Sequence, residues 1–319
     1  MRLFLTSAYS DREPLATLRR YAACDSRRRH HTTDDPGSAD AILFVENSHY
    51  FDDIYLGKVR GHSLTARYRE KVLVYNEQDL PLGFLPGLYC SMPRTRFNSS
   101  RYRACSYILE LNPFIEQAWA RNPHPDLLFS FMGANRNSIR NSIFALRHKD
   151  AYVEDTTSYN MFVGPPELER KRKYAEVLSR SRFVLCPRGG GSSSYRLFET
   201  MQSGRVPVIL SDDWEPPIGP AWAEFSLRVA ESKATVLPTM LDALDDDVAA
   251  AMGRKARRAW EDWFAPDALF NTVAGYCTQL LEGRPWLEVI ASRLPPRGFA
   301  TRRAKDCVRP LLRACRKWA

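Results

Sequence analysis

The sequence predicts an α/β protein built of two doubly wound parallel sheets that face each other across a cleft. Three observations carry this. Short, continuous apolar runs recur along the chain, as expected of strands covered on both faces. Longer helical patterns separate them. The alternation then occurs twice, on either side of a stretch of linker composition, Arg121-Asn122-Pro123-His124-Pro125-Asp126.

In the first unit the predicted strands are residues 2–5, 41–45, 71–75 and 88–91. In the second they are residues 127–132, 151–154, 183–186, 206–210 and 225–229. A helix is expected over residues 193–202, stopped by Ser203-Gly204. Residues 237–264 read as one long helix, with Leu241, Leu244, Val248 and Met252 at three- and four-residue spacing and Pro266 as the breaker. Another helix follows over residues 267–281. These elements divide the chain into residues 1–122, residues 126–290 and a basic tail over residues 291–319.

A chain of 319 residues is ample for two cores. Its formal net charge of +9 suits an anionic partner: nucleic acid, anionic lipid or an anionic small substrate. No recognition helix, zinc-finger spacing or aromatic RNA-binding motif accompanies the charge, which sets nucleic acid aside. The seven cysteines are odd in number and widely spaced, with no CxxC and no Cys/His cluster, so a reduced, cytoplasmic protein is expected. The apolar run near Met1 is shorter than the roughly 7–15 residues of a secretory core and reads as a first strand. No run approaches the roughly 20 apolar residues of a membrane span. The tail mixes Arg and Lys with Leu and Trp. It reads either as a loosely packed terminus or as a peripheral contact with an anionic membrane.

The chemistry concentrates in residues 183–212. A buried strand ends at Cys186-Pro187, the glycines Gly189, Gly190 and Gly191 follow, and serines stand where a helix begins. Small residues let a backbone approach a ligand, and the exposed N–H groups of a helix start favour an anion. Arg188 and Arg196 can each donate paired hydrogen bonds to a diphosphate. Glu199, three residues after Arg196, shares its side of the helix and can accept from two ribose hydroxyls. Leu197, Phe198 and Met201 are left to face the sheet. The loop is neither a Walker loop nor a GxGxxG at the first strand. Taken alone, it reads equally as a turn beside a surface ion pair.

The whole constellation is more specific. A strand ending in Cys-Pro-Arg-Gly, then Ser-x-Arg-x-x-Glu (Ser194, Arg196, Glu199), then Ser-Gly-x-Val-Pro-Val-Ile-Leu-Ser-Asp over residues 203–212, resembles the exostosin family of glycosyltransferases. Residues 127–133 with Arg136 and Arg140 are similar to the strand and loop that open that family's C-terminal domain. Residues 173–181 are similar to the helix before its motif. The resemblance runs over about residues 126–285. It implies the GT-B fold of two Rossmann-like domains, with an acceptor-side domain over 1–122 and a nucleotide-sugar-binding domain over 126–290. It also implies a nucleotide-sugar donor, usually UDP-linked, a glycan or lipid-linked acceptor, and inversion at the anomeric carbon. No cofactor or metal is required, because arginines and a helix N-terminus stabilise the leaving diphosphate. It puts Arg188 and Arg196 on the diphosphate and Glu199 on the ribose. Gly189, Gly190 and Ser194 line the loop, and Arg136 makes a further phosphate contact. By the same analogy the product is a surface or extracellular polysaccharide.

An inverting transfer needs a general base near the acceptor hydroxyl. The strand ends of the first unit offer Glu46 and His49 after residues 41–45, and Glu77 or Asp79 after residues 71–75. Glu46 and Glu77 are the favoured candidates. Asp212-Asp213 reads as a cap or donor-side contact rather than a metal site, and Asp245-Asp246-Asp247 as the solvated face of a helix. Two other readings stay open. One is a GDP-fucose-type fucosyltransferase, suggested by Phe44-Val45-Glu46-Asn47-Ser48. The other is a non-catalytic nucleotide-binding protein.

Overall fold

Each apolar run read as a strand overlaps one; residues 41–46, 72–76 and 206–210 are buried throughout, as strands covered on both faces are, whereas 151–155 and 227–228 lie partly exposed at the edges of their sheet. The computed structural model describes residues 1–10, 12–46, 53, 55–108, 112–121, 124–158 and 167–283. The basic tail and His49 lie outside the described residues.

The first unit runs β1 (Arg2–Thr6), α1 (Glu13–Cys24), β2 (His31–Thr32), β3 (Ala41–Glu46), α2 (Gly57–Arg60), α3 (Ser63–Arg67), β4 (Val72–Asn76), β5 (Gly87–Tyr89) and β6 (Tyr102–Ala104); α4 (Pro113–Ala120), expected within residues 1–122, packs instead on helices 167–179 and 195–202 of the second unit. The strands of the first unit are all parallel, in the order β2-β1-β3-β4-β5-β6. The second unit runs β7 (Leu127–Gly133), α5 (Ser138–Phe144), β8 (Ala151–Asp155), α6 (Glu167–Ser179), β9 (Ser181–Pro187), α7 (Tyr195–Gln202), β10 (Val206–Leu210), β11 (Leu227–Arg228), α8 (Leu237–Asp242), α9 (Asp246–Trp263) and α10 (Leu269–Glu282). This sheet is also all parallel, in the order β11-β10-β9-β7-β8. The fold is therefore the two-sheet α/β architecture expected from the sequence.

Both sheets are doubly wound, and each has a point where the strand order reverses. In the second sheet this is the seam between β7 and β9, and in the first the seam between β1 and β3. Ligands of such sheets bind outside the carboxyl ends of the strands at these seams.

Two further helical expectations are corrected. The long helix of residues 237–264 is broken in two. Asp245 caps α9, its Oδ1 accepting from the amides of Asp247 (2.8 Å) and Val248 (3.3 Å). One of the three consecutive acids is thus a helix start, because a short side-chain carboxylate competes with the helix for backbone N–H groups. The second correction concerns the last helix, which was grouped with residues 126–290. Helix α10 packs instead on α1, β5 and β6 of the first unit. Ser26 N donates to the Asp267 carbonyl (2.9 Å), and Arg103 Nε donates to Gln279 Oε1 (3.1 Å).

Gly204 stops α7 as expected, in the left-handed region at φ 64°. It also lets α9 come close. A Cβ added to Gly253 would lie 2.4 Å from the Gly204 carbonyl oxygen, a backbone atom that cannot swing aside. Gly253→Ala is therefore expected to destabilise the protein by about 1–3 kcal/mol, as overpacking does. Thermal unfolding should fall by several degrees; an unchanged melting temperature would show that α9 does not need this approach.

Candidate active site

The second sheet's seam opens between Gly133, at the end of β7, and Pro187, at the end of β9. Three arginines converge there. Arg196, from the first turn of α7, is 8% exposed. Its guanidinium lies 4.6 Å from the centroid of the Phe131 ring, and Nη2 donates to the Met132 carbonyl (2.5 Å). Gly133 makes room for it: a Cβ there would come within 2.8 Å of that Nη2. Arg140, from α5, is also buried. Its Nε donates to the Arg188 carbonyl (3.1 Å) and Nη1 to the Ala134 carbonyl (2.5 Å), so it fixes both sides of the seam. Arg136 is exposed in the loop between β7 and α5. Burial, then the neighbouring charges of Arg196 and Arg136, push the Arg140 pKa down to about 9. Like charges gathered in a half-dry crevice favour an anion among them.

The glycine loop is clamped from several sides. Asn137 Nδ2 donates to the Gly189 carbonyl (3.3 Å), and Ser211 Oγ to the Ser192 carbonyl (2.7 Å). Gly189 faces Arg140, whose Nη2 would lie 3.2 Å from an added Cβ. Gly190 and Gly191 press against the first unit instead. An added Cβ would meet Asp79 Oδ2 at 2.5 Å from Gly190, and the Asp79 carbonyl and Ser91 Oγ at 2.6 Å from Gly191. Ser193 N donates to Ser91 Oγ (3.3 Å), and the Tyr195 ring lies 3.9 Å from that of Tyr107, which shares a hydrogen bond with Ser91 (2.8 Å). These glycines let the two units meet as closely as they would let a ligand approach. Ser194 takes the extended conformation of an N-cap, but its side chain makes no capping bond.

Two buried donors in this crevice find no partner among the described residues: Arg196 Nε and Ser193 Oγ. Buried polar atoms are nearly always satisfied, so two such donors in one crevice are open to a polar ligand.

Glu199 shares its side of α7 with Arg196, as the spacing predicts. Tyr174 OH, from α6, donates to its Oε2 (2.7 Å). No described residue donates to Oε1, which is left to accept from a ligand. Burial raises the carboxyl's pKa, while Tyr174, Arg196 and Lys171 pull it down. Leu197, Phe198 and Met201 are buried against the core, as expected.

Not every expected residue enters the crevice. Arg188 Nε lies 2.9 Å from Glu231 Oε1, an ion pair outside hydrogen-bond alignment. Its backbone carbonyl, rather than its charge, faces Arg140. Glu46 closes the seam of the first sheet: it accepts from Ser7 Oγ (2.8 Å) and from Ala8 N (3.0 Å) and is 1% exposed. Glu77 is 0% exposed and accepts from the Ile108 amide. Both favoured base candidates thus brace the first unit from within. Asp212 Oδ1 accepts from the Glu231 amide (3.1 Å). Tyr174 and Arg140 are site residues for which the sequence carries no direct signal. Both stood inside stretches that carry the family resemblance, but nothing in their spacing said that they turn toward the seam.

Fold and site together define a two-sheet α/β protein with an arginine-lined anion crevice at the seam of its second sheet. Residues 91–244, a little under half of the chain, match the Exostosin GT47 domain. The chain is 41% identical over 71 residues to the Exostosin-1 homolog of Caenorhabditis elegans, covering 22% of this chain and 19% of that protein. It is 29% identical over 122 residues to Exostosin-1 of Bos taurus, covering 37% of this chain and 15% of that protein. The aligned stretch thus spans under a fifth of these relatives. Among solved structures, a glycosyltransferase from Rickettsia africae superposes with a TM-score of 0.42 at 10% identity, covering 89% of this chain and 99% of that one. HepE of Anabaena, in complex with UDP and glucose, also gives 0.42 at 10% identity, over 88% and 98% of the two chains. No helix among the described residues is long and apolar enough to cross a membrane.

Proposed function

We propose that this protein transfers a sugar from a nucleotide-sugar, UDP-linked by preference, to a glycan or lipid-linked acceptor, with inversion at the anomeric carbon. The observation that carries the reading is the crevice between β7 and β9, where clustered arginines meet two unpartnered buried donors. In this reading Arg196 and Arg140 take the diphosphate, with Arg136 at its outer edge. The start of α7 and Ser193 complete the cradle. Glu199 Oε1 accepts from the ribose. Gly189 gives the phosphates access to the backbone, and Ser194, with its hydroxyl uncommitted to the cap, lines the loop. The arginines supply the charge that steadies the leaving diphosphate, so neither cofactor nor metal is called for. Membrane contact through the basic tail belongs to the same proposal, since a lipid-linked acceptor would lie at an anionic surface.

Thermal unfolding with UDP, GDP, CMP and dTDP tests the donor class. A nucleotide at about 100 times its Kd adds about 2.7 kcal/mol to the folded state. UDP is expected to raise the melting temperature by several degrees. A shift with GDP alone would favour the fucosyltransferase reading, and no shift with any nucleotide would remove the donor site from this crevice.

A further inference from the structure

Resting on the glycosyltransferase reading, we infer that Asp79 of the first unit takes the proton from the acceptor hydroxyl as the sugar is transferred. Asp79 follows β4 by three residues, far enough to leave the covered sheet and cross to the glycine loop of the second unit. Its carboxylate lies against Gly190 and its backbone against Gly191. The chain thus lays a carboxylate from the acceptor-side unit directly on the loop that would cradle the donor.

A general base for this reaction must meet three conditions. It must share the cleft with the donor, keep lone pairs unclaimed, and be less acidic than a carboxylate in water. Glu46 fails the second, since Ser7 and Ala8 hold its two oxygens from within the first unit; Glu77 fails the first, being 0% exposed with one oxygen held by the Ile108 amide. Asp79 accepts no hydrogen bond from any described residue and is only half-buried. Burial raises its carboxyl's pKa, and the charge of Arg140 pulls the other way. The Tyr107 hydroxyl also feels the Asp79 charge, and Arg136 and Arg196 stand behind Arg140.

The transfer balances with these groups alone. The acceptor oxygen forms its bond to the anomeric carbon as the bond from that carbon to the diphosphate oxygen breaks. The diphosphate leaves with the electron pair toward Arg196 and Arg140. The hydroxyl proton passes to an Asp79 carboxylate oxygen, and from there to water.

Two measurements on Asp79→Asn test the assignment: UDP affinity, and release of UDP from a panel of UDP-sugars with water as acceptor. Asn has the same shape, and no hydrogen bond is lost, so the fold should survive; Asp79→Ser, with a matched melting temperature, serves as the second variant. UDP is expected to bind within a few-fold of wild type. Release should drop by at least about 100-fold, and its fall toward acid pH should disappear. Release at the wild-type rate overturns the inference. So does tighter UDP binding with undiminished release, which would leave Asp79 as a countercharge to the arginines only. Wild-type protein that binds UDP but releases none from any donor also overturns it. Wild-type protein that binds no nucleotide strikes at the donor reading itself, and this inference goes with it.

Discussion

Arg196→Ala is expected to weaken nucleotide diphosphate binding on the order of 100-fold or more, as removing one partner of a buried, hydrogen-bonded charge pair does. The geometry says why the loss should be large. Arg196 is the only one of the three crevice arginines that rides on α7 itself, directly behind the Ser194 cap. It is buried, its Nε has no partner among the described residues, and its Nη2 already holds the Met132 carbonyl. The free protein should suffer as well. Alanine leaves that carbonyl unsatisfied, at a cost of about 1–3 kcal/mol, and empties the space over Phe131. Two readouts therefore change together: a lower melting temperature, and the absence of any rise with UDP. Arg196→Lys separates them. It keeps the charge but not the planar fork, so part of the UDP shift should return. Undiminished UDP binding by the alanine variant would move the phosphate site away from α7.

Glu46→Gln is expected to stabilise the protein above neutral pH and to change little near pH 5. Burial raises the Glu46 pKa to about 7, against the opposing pull of the Ala8 amide, the Ser7 hydroxyl and Arg12. The ordinary value is 4.5. A carboxyl whose folded pKa is raised binds its proton more tightly in the folded state. Its contribution is therefore fully present below about pH 4.5 and is lost as the pH climbs through about 7. The gap corresponds to roughly 3 kcal/mol between the two limits. Gln copies the protonated form and removes that pH dependence. Denaturant melts of both proteins from pH 5 to pH 8.5 should converge at the acid end and separate at the alkaline end. A variant less stable than wild type at pH 8 would mean that the bonds from Ser7 and Ala8 outweigh the desolvation of the charge.

The sheets were legible because parallel strands covered on both faces need unbroken apolar runs, and residues 41–45 and 206–210 are such runs. The edge strands of the first sheet were not. β2 is two exposed polar residues, and β6 carries Arg103 at its centre, so neither leaves an apolar signal. The glycine-rich loop between β9 and α7 was legible for a different reason. Glycine follows the strand end and serine takes the N-cap position at this strand-to-helix junction, and Arg196 and Glu199 fall on one side of α7 as helix geometry requires. The choice of base was not legible. Position at a strand end says that a carboxylate is near the cleft, not whether it enters it. Glu46 is the last residue of a strand whose every position is buried, and Glu77 immediately follows another such strand. Only by Asp79 has the chain cleared the sheet. The partner of α10 was invisible for a similar reason: an amphipathic helix announces that it packs, not against what.

The return of α10 bears on how the molecule is made. Helix α1 and the β5–β6 edge lie open until residues 269–282 arrive to cover them. On the ribosome, roughly 250 residues separate the emergence of α1 from that of its partner, and at about 5–20 residues per second this is a wait of roughly ten to fifty seconds. The usual order of birth is thereby reversed. The second unit has all its strands and covering helices through α9 in hand while the first, though synthesised earlier, still shows an unfinished apolar flank. That flank is the surface a chaperone would meet on the nascent chain. Truncation ahead of residue 269 should therefore cost the first unit its solubility and leave the second the more compact of the two.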